Sequence, residues 1–151
     1  MVGIPGSGKS TWCKENHPEL PVVSRDIIRA ELGFTRSADE KAVLSKEQEQ
    51  AVTEAEYKIM KKLLENKQSF IIDDTNTNGK FRANLIEFLH TYDTFIIGVE
   101  LNTPLSVCIE RRKGQISAEI MQSIYSRKIA LEPEEVEGII NLHFEQQLKQ
   151  H

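Results

Sequence analysis

Eight residues at the head of the chain, Gly3-Ile4-Pro5-Gly6-Ser7-Gly8-Lys9-Ser10, fit the pattern G-x-x-x-x-G-K-[ST] at each fixed position. Glycine reaches backbone angles closed to other residues, so such a loop can fold round an anion with successive N–H groups aimed inward. A helix opening near Lys9 adds its positive end to the same anion. Lys9 is placed to reach the outer phosphates of ATP, and the Ser10 hydroxyl is the expected ligand of the accompanying Mg²⁺. The candidate nucleotide-binding residues are therefore Gly3, Pro5, Gly6, Ser7, Gly8, Lys9, Ser10 and Thr11.

Acids recur after short apolar runs. Leu20-Pro21-Val22-Val23-Ser24 delivers Arg25 and Asp26, and Ser69-Phe70-Ile71-Ile72 delivers Asp73-Asp74-Thr75-Asn76. In a doubly wound sheet, residues just past the strand ends line the ligand crevice, so Asp26 should face the phosphate loop from a neighbouring strand. An acid after the later strand suits a magnesium site, held directly or through the ion's water. The apolar-run-then-acid pattern favours Asp73 for that place. Arg29, one helical turn beyond Asp26, falls on the same helix face. Structural duties compete with these roles: Asp26 can cap the helix it precedes, and Arg25 and Arg29 can be surface cations or tie to Asp73 or Asp74. A third charged stretch, Arg111-Arg112-Lys113-Gly114, separates two helical segments and fits a basic lid over about 111–117, with solvated helix-end cations as its plain alternative.

The elements that must position these groups alternate. Helices are expected from Lys9 to about Asn16, from Arg25, from the Ser45/Gln48 capping box to about Asn66, from Asn78 to about Tyr92, from Thr103-Pro104 to about Lys113, and from Ser117 to about Ala130. Their inward residues are expected to include Val52, Ala55, Ile59 and Leu63, then Phe81, Leu85, Phe88 and Leu89, then Ile120 and Ile124. Between them stand the two short strands above, a strand over Thr94–Leu101 and an edge strand over Gly138–Phe144. Residues 33–44 read as a mobile connection and 145–151 as a frayed tail. Only Met1 and Val2 precede Gly3, so the first strand is either a stub or truncated. Truncation is the favoured reading, and an unfilled slot in the middle of the sheet its mark.

At 151 residues, 28% of them charged, the chain is expected to form one domain. A net charge of -4 argues against wrapping long nucleic acid across a broad basic face. Cys13 and Cys108 lack zinc or disulfide spacing, so reduced thiols and a cytoplasmic setting are expected, with no membrane partner. Trp12 reads as packing rather than base stacking.

Strands alternating with helices imply a three-layer α/β/α fold with a parallel central sheet, its first strand truncated, and a small helical lid. The segments GIPGSGKSTW, SRDIIR and IDDTN and the basic stretch around Arg111 resemble, in order and spacing, the kinase domain of phage-type polynucleotide 5′-kinases, from residue 3 to about 130. That resemblance implies transfer of the γ-phosphate of ATP to a hydroxyl, in that family the 5′-OH of DNA or RNA. It implies that Asp26 activates the attacking hydroxyl, that Arg29 grips a phosphate of the acceptor, and that Asp74, as the acid of D-T-N, serves the metal through water. Arg25, Asp26, Arg29, Asp74 and Asn76 are then the acceptor-side residues. Arg111 and Arg112 are both candidates for the ATP phosphates, because the lid lacks an arginine immediately before its glycine. The partners expected are a nucleoside triphosphate and a hydroxyl acceptor, a single-stranded 5′ end in the leading reading. A small-molecule kinase acting on a sugar, nucleoside, antibiotic or sugar nucleotide is the second reading, and a nucleotide-binding module without transfer activity the third. The oligomeric state is left open.

Overall fold

The computed structural model describes residues 1–34 and 44–144. Most of the expected 33–44 connection and the expected tail over 145–151 lie outside them. In chain order the elements are α1 (Lys9–Asn16), β1 (Val22–Val23), α2 (Arg25–Glu31), α3 (Lys46–Glu65), β2 (Ile71–Ile72), α4 (Gly79–His90), β3 (Ile97–Asn102), α5 (Leu105–Arg111), α6 (Ala118–Arg127), a single 3₁₀ turn at Pro133–Glu135, and β4 (Gly138–His143).

The strands are parallel throughout. β1 pairs with β2 in the register Val22 to Ile71 and Val23 to Ile72, and β3 pairs with β4 from Ile97 opposite Gly138 to Asn102 opposite His143. Met1–Gly3 joins the two pairs. Val2 donates to Val99 O at 2.7 Å and accepts from Leu101 N at 2.9 Å. On its other side the Met1 nitrogen donates to Ile72 O at 3.0 Å, and Gly3 N donates to Thr75 O at 2.9 Å. Met1–Gly3 thus stands in the middle of the sheet, and the order across it is β1, β2, Met1–Gly3, β3, β4. The phosphate loop springs directly from this central segment.

Local chemistry starts the helices. Ser45 and Gln48 close the expected capping box at α3, and Asn78 Oδ1 accepts from Lys80 N and Phe81 N at the start of α4. Ser117 caps α6 through Ile120 N. At α5 the cap is Pro104 rather than Thr103, because the Thr103 hydroxyl is drawn away to the phosphate loop.

The core lies in three clusters that bracket the cleft. Val23, Ile28, Val52, Met60, Leu64 and Leu89 pack α2, α3 and α4 around β1 and β2. Ile4, Cys108 and Met121 fill the space under the phosphate loop. Val99, Leu101 and Leu142 form the third with Met1 and Trp12, so Trp12 is packing, as its position in the loop helix implied.

Three inward assignments shift by one residue. The buried seam of α3 is Val52, Glu56, Met60 and Leu64, leaving Ile59 exposed. Phe81 is 71% exposed while its neighbour Arg82 is buried, and Ile120 is 44% exposed while Met121 is fully buried. In each case a one-residue step turns a helix by about 100°, enough to carry an apolar side chain out of the core, and in α4 and α6 into the cleft. What selects the seam is a long-range partner for a charge in the first two cases and the space beneath the phosphate loop in the third.

Candidate active site

The phosphate loop has the backbone its glycines permit. Gly6 and Gly8 have φ of 81° and 99°, in the left-handed region. A Cβ on Gly3 would stand 2.5 Å from Ser7 Oγ, and one on Gly6 would stand 2.9 Å from Cys108 O. The loop is thus moulded against α5, and the buried Thr103 hydroxyl pins it by donating to Ser7 O at 2.7 Å. Lys9 is buried and donates through Nζ to Ile4 O at 3.1 Å, so its amine spans the loop it belongs to. Burial lowers the Lys9 pKa, the nearby Asp73 and Asp26 carboxylates raise it, and Arg112 lowers it further.

Of the two adjacent acids, it is Asp73 that meets the loop. Ser10 Oγ donates to Asp73 Oδ2 at 2.6 Å, while Asp73 Oδ1 is buried without a hydrogen-bond partner. An orphaned carboxylate oxygen beside a serine hydroxyl is the hard-oxygen pair that Mg²⁺ prefers, so these residues fit the ion. Among the described residues no three His, Cys, Asp or Glu side chains gather to hold a metal by themselves. The rest of the coordination would have to come from phosphate and water, as is usual for magnesium.

Asp74, expected to serve the metal through water and to line the acceptor side, turns away from Ser10 toward the start of α2. Its Oδ1 accepts from Arg25 N at 2.8 Å. Burial, and next a hydrogen bond with Glu56, push its carboxyl up to about 8 from an ordinary value of 3.8. Between those two values the folded chain holds a proton that the unfolded chain has released, so this group's stabilisation is complete below about pH 4 and is lost as pH rises through about 8. Thermal melting from pH 5 to 9 should show a decline in the wild type that flattens in Asp74→Asn, whose amide can still accept from Arg25 N and donate to Glu56. Parallel profiles for the two would contradict the assignment.

Asp26 stands in the first turn of α2 with its side chain 84% exposed and lines the cleft together with Lys9, Ser10 and Asp73. It does not cap the helix, since the cap position is Ser24. Arg29 Nη1 donates to Asp26 Oδ1 at 2.8 Å, and Arg29 Nη2 reaches both Glu49 oxygens at 3.3 and 3.4 Å. Arg25 turns toward α3, pairing with Glu49 at 2.9 Å and Glu56 at 2.8 Å. Neither arginine ties through its side chain to Asp73 or Asp74; both are ion-paired within the protein, while Arg29 Nε is buried without a hydrogen-bond partner. Asn76, with φ of 49°, spends its amide on Met1 O at 2.9 Å while bordering the cleft.

Across the loop the two lid candidates divide. Arg112 borders the cleft, with its Cγ close above Gly6 and Nη1 donating to Gln115 at 2.9 Å. Arg111 instead donates to Gly6 O at 3.0 Å, bracing the outside of the loop.

Sequence reasoning passed over the residues that frame these groups. Glu49 and Glu56 are lost among the charges of α3. Arg82 is 3% exposed and binds Glu135, Asn76 O, Ile129 O and Ala130 O, tying the acid-bearing loop to the segment after α6. Nothing local in the sequence marks it. The whole cleft measures about 1580 Å³ and opens to solvent between α2, α3, α4 and α6.

Residues 1–123 match the family model described as AAA domain (AAA_33). The chain is 28% identical over 130 residues to L-seryl-tRNA(Sec) kinase of Methanococcus maripaludis, a match covering 84% of this chain and 50% of that protein. It therefore spans about half the length of that curated relative. Among solved structures it resembles a putative kinase from Chloroflexus aurantiacus (TM-score 0.72, 20% identity, 99% of this chain and 85% of that one) and a sugar kinase from Janibacter sp. HTCC2649 (0.69, 21%, 99% and 86%). A third is Kti12 of Chaetomium thermophilum in complex with ADP-AlF3 (0.66, 17%, 99% and 92%). At these identities the structural likeness establishes the α/β phosphate-loop fold.

Proposed function

Because the chain belongs to the AAA domain family, matched over residues 1–123, we propose that it is an ATP-dependent kinase that transfers a phosphoryl group to the hydroxyl of a compact acceptor. One observation carries the reading: a single cleft brings Lys9, Ser10 and Asp73 together with the exposed carboxylate of Asp26, which comes not from the strand next to the phosphate loop but from the tip of β1, one strand beyond β2. Phosphoryl transfer asks for little covalent chemistry from the protein; it asks for alignment and for charge opposite the phosphoryl oxygens. The loop amides and Lys9 cradle the phosphates, and Arg112 adds charge from the lid side. Asp73 and Ser10 would hold Mg²⁺, which when bound neutralises charge on the phosphate oxygens. Asp26 accepts the proton of the attacking hydroxyl, for which its exposed position and charge suit it.

The acceptor wall supports a compact substrate over a polynucleotide 5′ end. Arg25 and Arg29, the guanidinium groups best placed to hold backbone phosphates, are engaged by Glu49, Glu56 and Asp26. The names of a sugar kinase and of a kinase for seryl-tRNA among the similar proteins agree with acceptors other than a strand terminus. The second of these favours a variant of the proposal, in which the hydroxyl belongs to a small group carried on RNA.

Labelled ATP offered with a panel of sugars, nucleosides, 5′-OH oligonucleotides and aminoacylated tRNA tests the reading. Label should pass to a sugar, a nucleoside or the aminoacyl group. Asp26→Asn should bind ATP normally yet turn over about 10²-fold more slowly, the usual worth of a general base. Full turnover in Asp26→Asn would remove that role. Tight ATP binding with no transfer to any acceptor would leave a nucleotide-binding module.

A further inference from the structure

The cleft has two unlike walls. On the side of α2 and α3 its charges are spent on one another, Arg25 and Arg29 against Asp26, Glu49 and Glu56. On the side of α4 and α6 it is apolar and open to solvent. Phe81 is 71% exposed and Ile120 44% exposed, and both border the cleft. On α4, Asn84 and Leu85 follow Phe81 at i+3 and i+4 and also border it, so an aromatic face, an amide and an aliphatic edge share one helix surface. On α6, Ile124 and Arg127 continue the same wall from Ile120.

The α4 part of this wall, which carries Phe81 and Asn84, lies on the side of Asp26. α4 follows β2, which pairs with β1, the strand that delivers Asp26, whereas the lid arginines follow β3 on the far side of the central segment. We infer that Phe81 is the stacking platform for a heteroaromatic ring of the acceptor, with Asn84 reading the ring's polar edge, so that the acceptor is a nucleoside or a group joined to one. The inference rests on the phosphotransfer reading above and narrows its substrate class. An aromatic side chain offers its face to any base, and an adjacent amide presents both donor and acceptor to the base edge. Since Arg25 and Arg29 opposite are already ion-paired, ring contact is the acceptor contact that the α4 face is built to supply.

Direct binding separates this inference from the catalytic one. Phe81→Trp places an emitting indole at the cleft, with the wild type, which retains Trp12, as control. In the presence of saturating ADP and Mg²⁺, adenosine should quench the added emission and ribose should not. Phe81→Ala should melt as the wild type does, because the side chain is exposed, and should raise the KM of a nucleoside-bearing acceptor about tenfold while the KM for ATP stays in place. Equal quenching by ribose, absence of quenching by adenosine, or quenching abolished by ADP would overturn the inference, the last because the ring would then belong to the donor nucleotide. Quenching by adenosine without phosphoryl transfer to any acceptor would uphold the ring site and defeat the kinase reading instead.

Discussion

Lys9→Ala is expected to lower turnover by about 10²- to 10³-fold, the scale on which a preorganised charge opposite a developing charge acts. The fold should survive the change. Lys9 is buried, its amine donates to Ile4 O, and burial lowers its pKa, so the protein gives up stability to keep this charge where it is. Removing the amine should therefore leave the melting temperature unchanged or raise it, while steady-state kinetics collapse. That opposition is the signature of a residue kept for chemistry. A variant that retains turnover would take the loop out of the mechanism, and one that loses activity only by unfolding would make Lys9 a structural residue.

Arg82→Ala should do the reverse, costing about 3–5 kcal/mol of stability because it strips one partner from a buried ion pair and orphans several carbonyls. The guanidinium donates five hydrogen bonds at 2.8 to 3.0 Å, two of them to Glu135 and the others to Asn76 O, Ile129 O and Ala130 O. Arg82→Met, which fills similar volume without a charge, still leaves Glu135 unpaired, so pairing it with Glu135→Gln should recover part of the loss. Urea denaturation of the two single variants and the double variant measures both effects. Additive losses would show that the Arg82–Glu135 pair is not the seat of the effect. Because Asn76 O is one of the acceptors, the loss should also loosen the loop that carries Asp73 and Asp74.

How much of this was legible in the chain depends on how local each signal is. The phosphate loop is written in eight consecutive residues and could be read outright. Asp26 follows from a strand tip, which hydrophobic patterning supplies. The choice between Asp73 and Asp74 could not be made the same way. Successive side chains on extended backbone point to opposite sides, and β2 is only two residues long, so it carries no alternation that would fix which acid turns toward Ser10. The two signals available disagreed: the apolar-run-then-acid pattern favoured Asp73 and the family motif Asp74. The geometry puts Asp73 against the serine. Glu56 and Arg82 were illegible for a different reason. Each is a charge on an amphipathic helix and reads as wet surface until its partner is known, and those partners lie 31 and 53 residues away. Phe81 was read as core because helical spacing alone cannot tell an apolar residue bound for the interior from one displayed in a cleft.

Met1–Gly3 is the seam through which β1 and β2 on one side and β3 and β4 on the other are hydrogen-bonded into one sheet, and the phosphate loop begins on its last residue. A ligand that stiffens the loop therefore tightens the stitching between the halves that carry Asp26 and Arg112. Slack in the seam, conversely, would let the two sides of the cleft drift apart.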